Sequence, residues 1–447
     1  MRGLLAFDLG TSGVKCSLFN EKGEILGARY GQYDTYYPME DWREQRPEDW
    51  MRQIREATVA LRQDLPQVQI CGIGVSGHSL GALPVDKDGT LLARQIPIWS
   101  DTRAKEQADR FFENVDYRNW YARTGNGFPR ELYAVFTIMW YRDHQPAIYE
   151  KADKFIGSKD YVNLFLTGKA VTDVSYASGS GLYDLKAGAY CPEYVAASGI
   201  NPEKLPEIYP SSQIIGCVSK AASEQLQIPE GVPVVAGGVD NACMSLGAGC
   251  FAGGDVYASL GSSAWITASV GEPVVDFDSR IYTFAHCVPG QFLPSIGIFS
   301  SGSALNWAAE RWFSDLRGED RFDAMGEMAS EAPAGANGVM FNPCLAGGSS
   351  FDKSQNIRGS LFNLSLGSTR SDIARAVFEG IAMHLRLASA ALEKSGRLGD
   401  RLLVVGGGSK GEFNRQIYAD VFGKTVAASR IRQDAASLGA AALVAVG

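Results

Sequence analysis

Histidine is scarce in this chain, and long apolar runs are missing. The 447 residues contain four histidines, His78, His144, His286 and His384. None are paired at the spacing of a local metal motif, so the sequence predicts no zinc site. No run of about 18 apolar residues occurs, which excludes an ordinary spanning helix. The opening MRGLLAFDLGTSG meets Asp8 too soon for a signal peptide. Eight cysteines are scattered without a CxxC pair, a pattern that reads as reduced core thiols and a cytoplasmic protein. Basic residues are not in excess either. Lys and Arg total 42 against 50 Asp and Glu, for a formal net charge of −8. That balance gives no general attraction to nucleic acid or to an anionic membrane.

What is present is a globular composition, with 45% hydrophobic and 21% charged residues. The length predicts two or three domains. Near the N-terminus, Leu4 to Phe7, Val14 to Phe19 and Glu24 to Tyr30 read as strands separated by polar turns. A helix from Pro47 to about Arg62 follows, with the proline at its first turn. Gln69 to Val75 then reads as a buried strand. A faint internal repeat links LGTSGVKCSLFN at Leu9 with LGSSAWITASVG at Leu260, each a glycine-and-hydroxyl turn between strands. No low-complexity linker separates the halves, and the boundary is placed at Gly231 to Asn241, giving domains 1–240 and 241–447.

Three turns of this kind follow strands: Gly10-Thr11-Ser12-Gly13 after Asp8, Gly261-Ser262-Ser263, and Gly406-Gly407-Gly408-Ser409. Glycine lets backbone N–H groups approach a polyphosphate closely, and small hydroxyls add donors. One such turn is an ordinary hairpin as often as a phosphate loop; three in one chain point to a nucleotide. Asp8 at a strand end is a candidate Mg²⁺ ligand, directly or through water. Lys15, two residues past the turn, is a candidate phosphate contact or a solvated charge on a hairpin. Asp240, in Gly237-Gly238-Val239-Asp240-Asn241, is either a helix N-cap or a general base for an attacking hydroxyl. Phosphoryl transfer asks a protein for positioning, charge neutralisation and a carboxylate near the nucleophile.

The chain resembles the FGGY carbohydrate kinases, and within them the xylulokinase branch. The matching phrases run from end to end: DLGTSGVK at Asp8, WREQRPEDW at Trp42, IPIWSDTRA at Ile96, SKDYVNLFLTG at Ser158, TDVSYAS at Thr172, GGVDNA at Gly237, SLGSSAW at Ser259, RAVFEGIA at Arg375, GGGSKGEFNRQIYADVFG at Gly406 and SLGAAAL at Ser437. The resemblance implies an α/β protein of two actin/hexokinase-like (ribonuclease H-like) domains. Each would be a mixed five-stranded sheet with flanking helices, and the active site would lie in the cleft between them. It implies ATP and Mg²⁺ as cofactors, a small sugar or polyol as acceptor, and no nucleic-acid or membrane partner. A homodimer is compatible with it. By motif, Asp240 is the base. Asp8, Gly10, Thr11 and Ser12 form the first phosphate loop, and Gly261, Ser262 and Ser263 the second. Gly407, Gly408 and Asn414 border the adenosine.

The chain departs from the pattern in three places. Where xylulokinases carry GQMHG, it has Gly77-His78-Ser79-Leu80-Gly81, so Ser79 and Leu80 replace Met and His beside the sugar. Thr137 stands where the family has a lysine. Family members usually run beyond the position of Val446-Gly447. His78, Ser79 and Leu80 are thus the candidate sugar contacts. The acceptor is a small ketose such as xylulose, or alternatively ribulose, erythrulose, erythritol or glycerol. A remote alternative is a serine hydrolase or acyltransferase. Gly77 to Gly81 fits G-x-S-x-G after a strand, and Ser79, Asp372 and His384 stand in a possible triad order. Gly406-Gly407-Gly408 lacks the G-x-G-x-x-G order of a dinucleotide site. Asp101 and Arg103 are either substrate contacts or a structural ion pair.

Overall fold

The computed structural model describes residues 1–127, 129–318, 320–394, 398–429 and 434–447. Its contacts separate two compact units. Unit 1 holds Met1–Gly247, Thr283–Gln291 and Asp434–Gly447; unit 2 holds Ala248–Tyr282 and Phe292–Gln433. The division follows Gly247 rather than Asp240, because the helix that begins at Asp240 packs with unit 1.

Unit 1 is built on β1 (Arg2–Leu9), β2 (Gly13–Phe19), β3 (Ile25–Gln32) and β4 (Gln69–Gly77), with β5 (Ile214–Cys217), β6 (Pro233–Val235) and β7 (Gly238–Val239) added later in the chain. The order is β5-β6-β4-β1-β2-β3, with β7 also on β4. β1 runs antiparallel to β2 and parallel to β4. Within β1 the run Gly3-Leu4-Leu5-Ala6-Phe7 is buried throughout, as expected of a strand covered on both faces. Helix α1 (Pro47–Asp64) turns Trp50, Met51, Ile54, Ala57 and Leu61 inward, the 3.6-residue spacing of an amphipathic helix. The terminal helix Ala435–Val446 packs on β4 at glycines: a Cβ on Gly74 would meet the Ala440 carbonyl at 2.3 Å. The same helix meets α3 (Asp240–Ala248), and a Cβ on Gly439 would lie 1.9 Å from the Cys243 carbonyl. Between α1 and α3 in the chain, α2 (Ser158–Thr167) is almost wholly buried.

Unit 2 repeats the opening of unit 1. β8 (Val256–Leu260) turns into antiparallel β9 (Ala264–Ala268), which pairs with β10 (Phe292–Ile298). β8 then lies parallel to β11 (Arg401–Val405), as β1 lies parallel to β4, and β12 (Thr425–Ala428) extends the sheet. The faint sequence repeat is therefore one hairpin-plus-parallel-strand unit used twice. Helices α4 (Gly302–Trp312), α5 (Arg370–Glu393) and α6 (Glu412–Phe422) flank this sheet. Among the described residues no helix is long and apolar enough to cross a membrane, and none of the eight cysteines forms a disulfide.

Candidate functional site

The sequence-derived residues fall into one group on each unit. In unit 1, three parallel strands end together. Asp8 on β1 pairs with Ser76 on β4, and Ser76 with Gly238 on β7. Two residues on, Asp240 opens α3. Two carboxylates thus stand at the carboxyl ends of β1 and β7, on either side of β4, where open α/β sheets bind ligands. With one strand between them, the two chains lie roughly 10 Å apart.

Ser76 Oγ donates to Asp8 Oδ1 at 2.9 Å. Burial pushes the Asp8 carboxyl above its ordinary range, opposed by that bond and by the positive charge of Lys15. Lys15 pairs across the hairpin from Asp8 and forms an ion pair with Asp434 at 3.1 Å, at the start of the terminal helix. Asp240 is pushed up to about 7, first by burial and then by the negative charge of Asp8. The backbone N–H of Asn241 bonds its Oδ1 at 2.8 Å.

The first glycine loop is tied down from outside. Gly10 N–H donates to the Gly13 carbonyl at 3.0 Å, and Tyr33 Oη to the Gly10 carbonyl at 2.6 Å. Gln45 Nε2 donates to the Thr11 carbonyl at 2.7 Å, and Trp50 Nε1 holds Gln45 Oε1 at 3.0 Å. The Thr11 hydroxyl accepts from Trp99 Nε1 at 3.0 Å, while Ser12 is exposed. Gln45 and Trp99 lie in the matched phrases WREQRPEDW and IPIWSDTRA and Tyr33 in none, but nothing local in the sequence marks the loop as the partner of any of the three.

Behind Asp240 lies a buried polar network. Lys159 Nζ contacts Asp160 at 2.5 Å, Asp173 at 2.9 Å and the Ala236 carbonyl at 3.0 Å. Burial alone would lower this ammonium, but the two carboxylates hold it charged and push it up. Asp173 Oδ2 accepts from the hydroxyls of Ser175 and Ser211, both at 2.6 Å. Ser175 Oγ in turn accepts the Val239 N–H at 2.9 Å. The strand end that carries Asp240 is thereby fixed on both sides. At Gly237 φ is +75°, and a Cβ there would lie 2.1 Å from the Val75 carbonyl, so only glycine fits.

After β4 the chain runs through His78, Ser79 and Leu80. His78 is 1% exposed, edge-on to Trp50 at 5.2 Å between ring centroids, and burial lowers its imidazole to about 4. Neither of its ring nitrogens makes a well-formed hydrogen bond to a described residue. Ser79 and Leu80 are partly exposed. Leu80 has φ +65°, a left-handed backbone that a leucine adopts at a cost of about 1 kcal/mol.

The local geometry contradicts the serine-hydrolase alternative. A nucleophile elbow needs a strand–turn–helix, but Ser79 leads through a bend into the short strand Leu83–Val85. The proposed partners lie on one helix, α5. They are 12 residues apart, or roughly 18 Å along its axis. Asp372 is instead the capping-box residue of that helix, bonding Thr369 and Asn337. Arg103 also proves structural. It pairs with Asp101 at 2.7 Å and Glu44 at 2.8 Å and stacks over Trp42, with its side chain 3% exposed. Thr137 lies buried in the helix Ala134–His144.

In unit 2, Gly261, Ser262 and Ser263 are exposed between β8 and β9. The Gly261 carbonyl accepts from Gly302 N–H, and the Ser262 carbonyl from the N–H groups of Ser301 and Ser303, at 2.9–3.0 Å. A Cβ on Gly302 would be 2.6 Å from the Gly261 carbonyl. After β11, Gly407 opens a single 3₁₀ turn, and no atom stands within 4 Å of where its Cβ would be. Asn414 Nδ2 donates to the Gly408 carbonyl at 2.7 Å. Leu260, Gly261, Gly302, Phe378, Gly408 and Asn414 line one small cleft. The second and third glycine turns are thus neighbours, joined through the end of β8.

Residues 4–247 match the model of the FGGY family of carbohydrate kinases, N-terminal domain, and residues 256–447 that of the C-terminal domain. A xylulose kinase of Bacillus subtilis (strain 168) is 29% identical over 450 residues, covering 100% of this chain and 88% of that one. A gluconokinase of Bacillus licheniformis is 27% identical, covering 94% and 82%. The crystal structure of xylulose kinase from Rhodospirillum rubrum superposes with a TM-score of 0.91 at 28% identity, covering 100% and 90%.

Proposed function

Because the chain belongs to the FGGY family of carbohydrate kinases, a family of phosphotransferases with alcohol acceptors, we propose that it moves the γ-phosphoryl group of ATP to a hydroxyl of a small ketose, with Asp240 as general base. The observation that carries this reading is the register of Asp8, Ser76 and Gly238, which sets Asp240 beside Asp8 at the ends of three parallel strands.

Asp240 takes the proton from the sugar hydroxyl, whose oxygen attacks the γ-phosphorus. The bond from that phosphorus to the bridging oxygen breaks, and ADP leaves. Raised to about 7 by burial, the Asp240 carboxylate is a stronger base than an ordinary aspartate and can draw the proton off an alcohol as the bond forms. The N–H groups and hydroxyls of Gly10, Thr11 and Ser12 in unit 1, and of Gly261, Ser262 and Ser263 in unit 2, receive the phosphates. Gly407, Gly408 and Asn414 border the adenosine. Asp8 offers a hard oxygen ligand, held by Ser76, and this suits Mg²⁺ bound directly or through water. When bound, Mg²⁺ neutralises charge on the phosphates. Unit 1 carries the acceptor and unit 2 the nucleotide.

A second acceptor class is favoured by one observation. Leu80 presents an apolar, left-handed residue where xylulokinases carry an imidazole, so a hydroxyl facing it loses a hydrogen bond. That supports ribulose, erythrulose, erythritol and glycerol as candidates beside xylulose. The test is ADP release, by coupled assay, with D-xylulose, D-ribulose, L-xylulose, erythrulose, erythritol and glycerol at equal concentration. Strongest stimulation by D-xylulose supports the first reading, and strongest stimulation by another ketose or by a polyol supports the second.

A further inference from the structure

Within unit 2, and apart from the residues assigned above, Cys344, Asp352 and His384 bring together one potential ligand atom each, the three atoms lying within 4.8 Å of one another. Cys344 is 1% and His384 9% exposed. We propose that these residues bind a borderline divalent transition metal of the Zn²⁺ class, a site independent of the phosphoryl-transfer reading.

Simple hydrogen bonding accounts poorly for the arrangement. His384 Nε2 stands 3.7 Å from Cys344 Sγ and 3.4 Å from Asp352 Oδ1. The contact to the carboxylate is longer than a good N–H···O bond of about 2.9 Å. One ring nitrogen can also serve only one of the two partners, by its proton or by its lone pair. Both separations do fit the edges of a tetrahedron. Metal–ligand distances of about 2.0–2.3 Å place neighbouring ligand atoms roughly 3.3–3.8 Å apart, and the remaining Cys344–Asp352 edge, within 4.8 Å, closes on the metal by a small side-chain turn. Sulfur with imidazole and one carboxylate oxygen is a donor set for zinc or its neighbours, unlike the all-oxygen set that Mg²⁺ prefers. With three protein ligands, water fills the fourth position.

The fold builds the cluster deliberately. Gly347 has φ +99°, and a Cβ on it would lie 2.7 Å from the Gln355 carbonyl; one on Gly348 would lie 2.3 Å from the Ser354 carbonyl. These two glycines let the loop double back and carry Asp352 toward Cys344. Ser349 fixes the loop twice: its N–H donates to Asp352 Oδ2 at 2.6 Å, and its Oγ to the Gly297 carbonyl of β10 at 2.6 Å. The first bond leaves Asp352 Oδ1 for the metal. Phe351 packs on the His384 ring at 5.1 Å, setting its plane. On binding, the Cys344 thiol gives its proton to solvent and sulfur bonds the metal, with no change of oxidation state. Sequence inspection misses the site because the ligands lie 8 and 32 residues apart and only one is histidine.

Co²⁺ is the probe, added to chelator-treated full-length protein. The expected result is one equivalent bound per chain, with intense visible bands of tetrahedral Co²⁺ and a near-ultraviolet sulfur-to-cobalt band, all displaced by Zn²⁺. Cys344→Ser should lose the sulfur band and weaken binding at least tenfold. His384→Gln should weaken binding similarly, a second variant should either one fold poorly. Sugar-dependent ADP release with Mg·ATP should be unchanged in both. Absence of the bands in the wild-type protein would overturn the site, as would bands that persist in both variants.

Discussion

The backbone N–H of Val239 is held by Ser175 Oγ at 2.9 Å, 64 residues away in the chain. The same hydroxyl donates to Asp173 at 2.6 Å. The residue before the candidate base therefore hangs from a buried carboxylate that Lys159 neutralises. Ser175→Ala leaves that N–H without its partner and frees the strand end to shift. The expected outcome is a fall in kcat of roughly tenfold, equivalent to about 1.4 kcal/mol, with KM for ATP little changed. Steady-state kinetics against both substrates check it; an equal loss in kcat and rise in the KM for ATP would show a general loss of structure instead.

Asp8 raises Asp240 through its charge and is also the proposed Mg²⁺ ligand. Asp8→Asn removes the negative charge that helps raise Asp240, so the rising limb of kcat/KM against pH should move to lower pH. The Mg²⁺ concentration for half-maximal rate should rise in the same variant. A pH–rate profile and a Mg²⁺ titration read the two effects separately.

A carboxylate held near 7 costs stability whenever it is ionised. The folded-state value lies above the ordinary 3.8, so folding takes up a proton between those limits. The stability this gives is present below about pH 4 and is lost as pH rises through about 7. Asp240→Asn has no such dependence. Its melting temperature should exceed that of the wild type at pH 8, and the gap should close toward pH 4. Thermal melts at both values check the sign.

Leu80 combines a strained backbone with an apolar side chain. Leu80→Gly should raise stability by up to about 1 kcal/mol, because glycine accepts a positive φ without strain. Leu80→His restores an imidazole where the xylulokinase pattern has one and should improve D-xylulose relative to the other acceptors. If D-xylulose already leads by more than about tenfold and Leu80→His does not help it, Leu80 does not tune specificity.

The strands around Asp8 and the helix from Pro47 were legible because their signals are local. The helix ends at Asp64, two residues past Arg62, and β1 extends beyond Leu4 to Phe7 on both sides. The glycine turns and the two aspartates were visible as motifs for the same reason. What holds them was not. Ser76 reaches Asp8 across 68 residues, Gln45 reaches Thr11 across 34, and Lys159 reaches Ala236 across 77. No periodicity encodes such contacts. His78, a candidate sugar contact by motif, is 1% exposed and edge-on to Trp50, a burial that its local sequence does not announce. The hydrolase pattern around Ser79 matched five letters, while its meaning depended on a following helix that the fold does not form.

The most direct measurement is ADP release by wild-type protein and Asp240→Asn across the acceptor panel at pH 8. Release should depend on a sugar or polyol and fall about 10²–10⁴-fold in the variant, the usual contribution of a general base. A variant with near wild-type turnover would assign Asp240 to the start of its helix alone. A wild-type protein that no acceptor stimulates would contradict the phosphoryl-transfer reading itself.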